Sequence, residues 1–330
     1  MMRVLVLGAS GYVGNRVVAA ILEHGGEVVA GARDPLSLDQ VWWSDRVERV
    51  KVDMSDESSV RAAVTSDVDA VVYLVHGMGD SDFSQKDADA ARYLRDAVNS
   101  AGVKRVVYLS GIIPQVPEEE LSEHLRSRLQ VERILSESTA RVITLRAAMI
   151  IGSGSTSFEL MRQLGSRLPV TIVPEWMVND VEPIAIVDVV RAILGALEAQ
   201  VESGHYDIGG GEVISYPDLI SLVGQLSGEE RPSISVPLLP TALVSQVATF
   251  IADIPAPTIK ALMESLHEPM VSGEHRWISD LCASQKDAQV NLRQSIERSL
   301  TVVDPLVPPS KRDPMGPMPG DPEWAETPQS

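Results

Sequence analysis

The chain of 330 residues has a single cysteine, Cys282. It therefore has no intrachain disulfide and no cysteine-based metal site, and no metal site of any other kind is expected. Basic residues are also short, with 28 Lys and Arg against 46 Asp and Glu and a formal net charge of -18. Phosphate backbones and anionic lipid surfaces are held by basic patches, so this balance argues against a nucleic-acid or membrane partner. No apolar run reaches bilayer-spanning length. No basic stretch leads into a cleavable apolar segment ahead of the first strand. Internal repeats are absent and aromatic residues are few. The expectation is a cytoplasmic globular protein whose partner is a small molecule, with enough chain for a large core in one bilobed domain or two domains.

What the sequence does have stands at its start. Met2 to Leu7 is an apolar run, followed by Gly8-Ala9-Ser10-Gly11-Tyr12-Val13-Gly14, a GxxGxxG pattern, and then by apolar residues at helical spacing. A buried strand, a glycine turn and a helix start in that order suit a dinucleotide pyrophosphate. Gly8 permits the tight turn, Gly11 lets the backbone approach the phosphates, and Gly14 lets the helix pack close to the strand. The free N–H groups of the helix start, with Ser10, Tyr12 and Val13 around them, face the anion.

Strand-like and helix-like segments then alternate. Strands are expected at 28–32, 47–52, 70–75, 105–109 and 141–145, with helices at 58–64, 87–101 and 121–138 between them. Continuous apolar strands in regular alternation with helices mean a doubly wound parallel sheet, a Rossmann-like α/β fold. Beyond about residue 150 the pattern loosens into a smaller, mostly helical lobe. Asp188 reads as the N-cap of a helix over 189–199, and 205–208 as one more strand. The expected organisation is a nucleotide domain at 1–150 with segments of about 183–210 interleaved, and a substrate lobe at 151–303. A proline-rich tail at 304–330 has few apolar residues to bury and is expected to be disordered.

These residues resemble the atypical and extended short-chain dehydrogenase/reductases, the NmrA-like and epimerase-like NAD(P)-binding proteins. GASGYVG at 8–14, Val52-Asp53-Met54, YLVHGMG at 73–79, YLSG at 108–111, LRAAMIIG at 145–152 and PIAIVDVVRAI at 183–193 carry the likeness. SEHLRSR at 122–128 and GSGSTSFELMR at 152–162 make the chain most similar to the bacterial YbjT-like members. The resemblance implies that Asp53 bonds the adenine amino group with Met54 beside the ring. It also implies that Val75, His76 and Gly77 lie along the adenosine and ribose. Turn capping is the alternative for Asp53, and a merely satisfied polar residue the alternative for His76. The usual cofactor selector is the end of the second strand, where an acid accepts from the ribose hydroxyls. Here Ala32 takes that place and Arg33 follows, which favours the 2′-phosphate of NADP(H) over NAD(H).

The family's Tyr-x-x-x-Lys pair is missing. His124 stands where the tyrosine would, with Arg128 four residues on along the same helix face, and the fifth strand ends Ser110-Gly111. In one reading His124 is a substitute general acid/base with a pKa suited to neutral pH, and Arg128 anchors the nicotinamide ribose or a substrate anion. In the other the pair is a solvated helix face. The expected function is an NADP(H)-dependent oxidoreductase acting on a small, partly apolar carbonyl or alcohol. The alternatives are a non-enzymatic NADP(H)-binding redox sensor, and an epimerase or dehydratase with a retained cofactor.

Overall fold

The apolar run at the start of the chain becomes the middle of a sheet. In β1 (Arg3–Leu7), Val4 and Val6 feed one apolar layer and Leu5 and Leu7 the other, so the strand is covered on both faces. The computed structural model describes residues 2–77, 82–237, 239–283 and 289–325. After β1 the chain forms α1 (Tyr12–Glu23), β2 (Glu27–Ala32), β3 (Glu48–Lys51), α2 (Glu57–Ala63), β4 (Ala70–Tyr73), α3 (Phe83–Ala101), β5 (Arg105–Gly111), α4 (Glu123–Ser136) and β6 (Arg141–Ala147). It continues through α5 (Thr156–Arg167) and α6 (Ile186–Glu198) to β7 (Gly204–Ile208).

Seven strands pair in the order β7-β6-β5-β4-β1-β2-β3, every pair parallel. Helices α1 and α6 cover one face, and α2, α3 and α4 the other. The expected Rossmann-like doubly wound sheet is what the chain forms. The strand order reverses between β1 and β4, and that reversal opens a crevice at the carboxyl ends of the strands.

Three boundaries differ from expectation in ways that bear on the site. Strands β5 and β6 run on to Gly111 and Ala147, so Ser110, Arg146 and Asp207 sit in register on β5, β6 and β7. Helix α6 begins at Ile186 with Ala185 as its N-cap. Asp188 is therefore no cap. It lies buried inside the first turn, pairs with Arg191 at 2.9 Å and accepts from the Val290 N–H at 3.0 Å.

The mostly helical remainder contains α5, α7 (Tyr216–Ser227), α8 (Thr241–Ile251), α9 (Ala256–Ser265), α10 (Trp277–Leu281) and α11 (Leu292–Ser299). The described part of the tail, 304–325, departs from the expectation of disorder. Met315 is fully buried, and Asn15 donates to the Pro319 carbonyl at 2.9 Å. The guanidinium of Arg16, on α1, is shut away from water, bonded to Asp321 at 2.6 Å and to the carbonyls of Pro314, Ser153 and Gly316. Trp324 joins a satellite apolar cluster with Leu160, Ile254, Ile259 and Met263. Few apolar residues suffice because the segment docks through a buried ion pair and its own carbonyls.

Candidate nucleotide and substrate site

The glycine loop is built for close approach. Gly8 has φ +89°, and a Cβ there would meet Val75 and Leu74 at the end of β4. A Cβ on Gly14 would stand 2.1 Å from the Gly8 carbonyl oxygen, so only glycine lets α1 start this close to β1. Gly11 is exposed, and its Cβ would meet only the Gly8 oxygen, at 3.3 Å. It is the N-cap of α1 and offers no side-chain cap, so the first N–H groups of the helix are open at the crevice. An uncapped helix start beside the tightly packed Gly8 and Gly14 leaves N–H donors free for an anion. Ser10 and Val13 flank the loop, half-buried. Tyr12 turns its hydroxyl inward instead. That hydroxyl is buried with no hydrogen-bond partner, a Cβ on Gly152 would collide with it, and burial raises its pKa.

Arg33 follows β2 and is exposed, with no hydrogen bond or ion pair among the described residues. Asp34 does not pair with it, since its Oδ1 caps the turn by accepting from Leu36 N–H at 3.0 Å. Asp53 accepts from Ser55 N–H at 2.9 Å and Ser55 hydroxyl at 2.7 Å, both at Oδ1. Those bonds, chiefly the hydroxyl, lower its pKa, and Arg33 adds to the effect. Turn capping thus occupies one oxygen of Asp53, and Met54 is buried behind it. Val75, His76 and Gly77 lie half-buried just past β4. Met78 and Gly79, from the same motif, lie outside the described residues.

At the carboxyl edge of β5 the two residues expected to replace tyrosine and lysine meet. Arg128 Nε donates to His124 Nε2 at 3.0 Å. Ser122 caps α4 through Leu125 N–H, and Glu268 accepts from Ser122 N–H at 2.7 Å, which fixes this end of the helix. The His76 and His124 rings stand 6.2 Å apart, edge to face. A Cβ on Gly111 would touch the Arg128 side chain at 3.3 Å, so the arginine fills the place beside the strand end. Ser110 is buried, and its hydroxyl has no hydrogen-bond partner.

The electrostatics correct one expectation. Burial, then the charge of Arg128, lowers the His124 pKa to about 3, so the ring is neutral at neutral pH and not poised to titrate there. Burial depresses His76 as well, aided by Arg128 and His124. Sequence reasoning missed Asp87. It accepts from Gly77 N–H at 2.8 Å and from the Ser127 hydroxyl at 3.3 Å, tying the β4 end to α3 and α4. Its only signal in the sequence is an acid early in the helix that follows a nucleotide-side strand.

Other side chains around the sheet serve structure. Arg146 forms a two-pronged bond with Glu132 of α4 at 2.9 and 2.7 Å and braces sheet to helix. Trp43 is buried and donates to Asn15 at 2.8 Å, and Phe158 is core. An open cleft of about 620 Å³ beside Lys104, Thr139 and Arg141 lies at the amino ends of the strands, opposite the glycine loop. Among the described residues no group of three or more His, Cys, Asp or Glu is placed to hold a metal, and no helix is long and apolar enough to cross a membrane.

A doubly wound sheet with a glycine cradle at its switch point defines a nucleotide-binding protein of the Rossmann class. The profile of the NAD(P)H-binding family matches residues 8–179, more than half of the chain, and the chain belongs to that family. Among solved structures it is similar to a nucleoside-diphosphate-sugar epimerase from Staphylococcus aureus, at 17% identity and TM-score 0.69, over 90% of this chain and 100% of that one. A UDP-glucose 4-epimerase from Thermus thermophilus in complex with NAD aligns at 19% identity and TM-score 0.58, over 80% and 99%. A short-chain dehydrogenase/reductase superfamily protein from Agrobacterium tumefaciens with bound NAD aligns at 19% and 0.60, over 80% and 96%. At these identities the likeness is one of fold. Comparison with curated protein sequences gives no match.

Proposed function

We propose that the chain binds NADP(H) at the glycine cradle and acts as an oxidoreductase on a small, partly apolar carbonyl or alcohol. The observation that carries this reading is the His124–Arg128 bond at the carboxyl edge of β5, beside the unpartnered Ser110 hydroxyl. Because Nε2 of His124 accepts from Arg128, the ring proton belongs on Nδ1, an assignment made from the hydrogen bond. A neutral Nδ1–H is a donor for a substrate oxygen, and it is worth most as negative charge develops there. Arg128 fixes the tautomer and the ring orientation. Ser110 supplies a hydroxyl at the end of the same strand, β5. The nicotinamide, when bound, would supply or accept the hydride, and the proton that completes the alcohol would be exchanged with solvent while His124 holds the oxygen.

The unpaired guanidinium of Arg33 supports NADP(H) as the cofactor, since it can fork onto a 2′-phosphate. Calorimetric titration of NADPH and NADH tests this. One charge-assisted contact makes NADPH about 10- to 150-fold tighter, and Arg33→Ala removes the difference. Equal affinities in the wild type contradict it. One observation favours a second reading, a redox sensor. A histidine with a pKa near 3 is a poor proton carrier at neutral pH. A sensor turns over no substrate and binds NADP+ and NADPH with different affinities, because a ligand shifts an equilibrium only through differential binding.

A further inference from the structure

Among the described residues Arg128 has no ion-pair partner, and the charge of Asp87 reaches it only from beyond contact distance. Many arginines on this acid-rich chain pair with carboxylates, Arg3, Arg95, Arg133 and Arg298 among them. Half-buried Arg128 has only the bond to His124 and a long contact from Nη1 to the Leu109 carbonyl at 3.5 Å. Among the described residues no carboxylate lies within ion-pair distance of it. The nearby acid, Asp87, accepts from Gly77 N–H and from the Ser127 hydroxyl instead. Withdrawing a guanidinium partly from water without a partner is unfavourable, and a bound anion relieves that cost.

From this placement we infer that the substrate carries a carboxylate beside its reacting oxygen, held by the outer nitrogens of Arg128 while His124 meets the oxygen. The inference rests on the oxidoreductase reading above and gives that site a substrate class: small 2-oxo or 3-oxo acids and the matching hydroxy acids. The pyrophosphate has its own cradle at α1, so Arg128 is not needed there. A guanidinium fork fits a carboxylate face to face. One guanidinium offsets one negative charge, and Asp87 nearby disfavours a second. That points to a carboxylate monoanion over a phosphate dianion. Arg128 Nε and His124 Nε2 are 3.0 Å apart and the Nδ1–H lies across the same small ring, so a molecule with one or two bonds between its carboxylate and carbonyl carbons spans the two groups.

The test uses the full chain, with and without NADPH. Pyruvate and acetoacetate are titrated calorimetrically beside their methyl esters and inorganic phosphate, on the wild type and on Arg128→Gln and Arg128→Lys. The inference predicts that at least one acid binds about 10-fold or more tighter than its ester. Arg128→Gln erases that preference and Arg128→Lys restores part of it, with melting temperatures close to wild type. It is overturned if acids and esters bind alike, if neither acid binds at millimolar concentration, if phosphate binds better than both acids, or if the preference survives in Arg128→Gln. An Arg128→Gln protein that loses NADPH affinity but keeps the acid preference assigns Arg128 to the cofactor and also overturns it. Failure of NADPH to bind sinks the oxidoreductase reading alone, because the acid–ester difference is read without cofactor as well.

Discussion

At the scale of single residues, glycines of one motif have different jobs. Gly11 has ordinary extended backbone, and its Cβ would face the open crevice. Gly11→Val is expected to fold, with a melting temperature near wild type, and to lose NADPH binding in a calorimetric titration. Gly14→Ala is expected to damage the fold itself, because its Cβ would enter the Gly8 carbonyl. A folded Gly11→Val protein with wild-type affinity would move the phosphate site elsewhere. The depressed histidine also has a consequence for stability. His124 binds its proton at about 3 in the folded chain against 6.5 when unperturbed. Between those values the unfolded chain holds more protons, so this residue makes the fold less stable as pH falls from 6.5 toward 3. His76 acts in the same direction. Denaturation of His124→Phe across that range should therefore show a shallower acid-side loss than wild type. Parallel curves for the two proteins would contradict the placement of a buried neutral imidazole.

At the scale of elements, the sequence is legible where structure is local. The β1–turn–α1 unit reads directly, because period, glycine spacing and helix start lie within a score of residues. Helix α3 ends at Gly102, in a left-handed conformation, as a glycine stop predicts. Asp188 misled because an acid ahead of an apolar run looks like a cap, whereas burial against Arg191 and Val290 decides its place. The His124–Arg128 contact was legible from i,i+4 spacing. The histidine's pKa was not, because burial is a tertiary property. The tail was misread for a related reason. Arg16 and Asp321 are 305 residues apart, and neither announces the other. Breaking a buried pair by removing one partner leaves an uncompensated charge, so Asp321→Ala should cost about 3–5 kcal/mol in chemical denaturation. Truncation after residue 303 should lower the melting temperature as well, since it also strips the Pro314 and Gly316 carbonyls from Arg16. An unchanged midpoint in both variants would mean that the strap does not hold the body together.

At the scale of the whole molecule, charge and site pull in opposite directions. The chain carries -18 overall, yet the guanidiniums of Arg33 and Arg128, without ion pairs among the described residues, stand at the end of β2 and at the carboxyl edge of β5. An acid-rich surface repels anions in general, so anionic ligands must be recovered by local contacts such as these. Specificity for cofactor and substrate would then depend on few residues, each removable. The central claim, that this fold carries out hydride chemistry through His124, is tested most directly by NADPH consumption. Wild type and His124→Phe, both shown to bind NADPH, are assayed side by side with a panel of small oxo compounds. The account predicts turnover by the wild type and a loss of about 100- to 1,000-fold in His124→Phe, the usual effect of removing one donor to a developing oxyanion. Equal turnover by the two proteins, or none by the wild type across the panel, would contradict it.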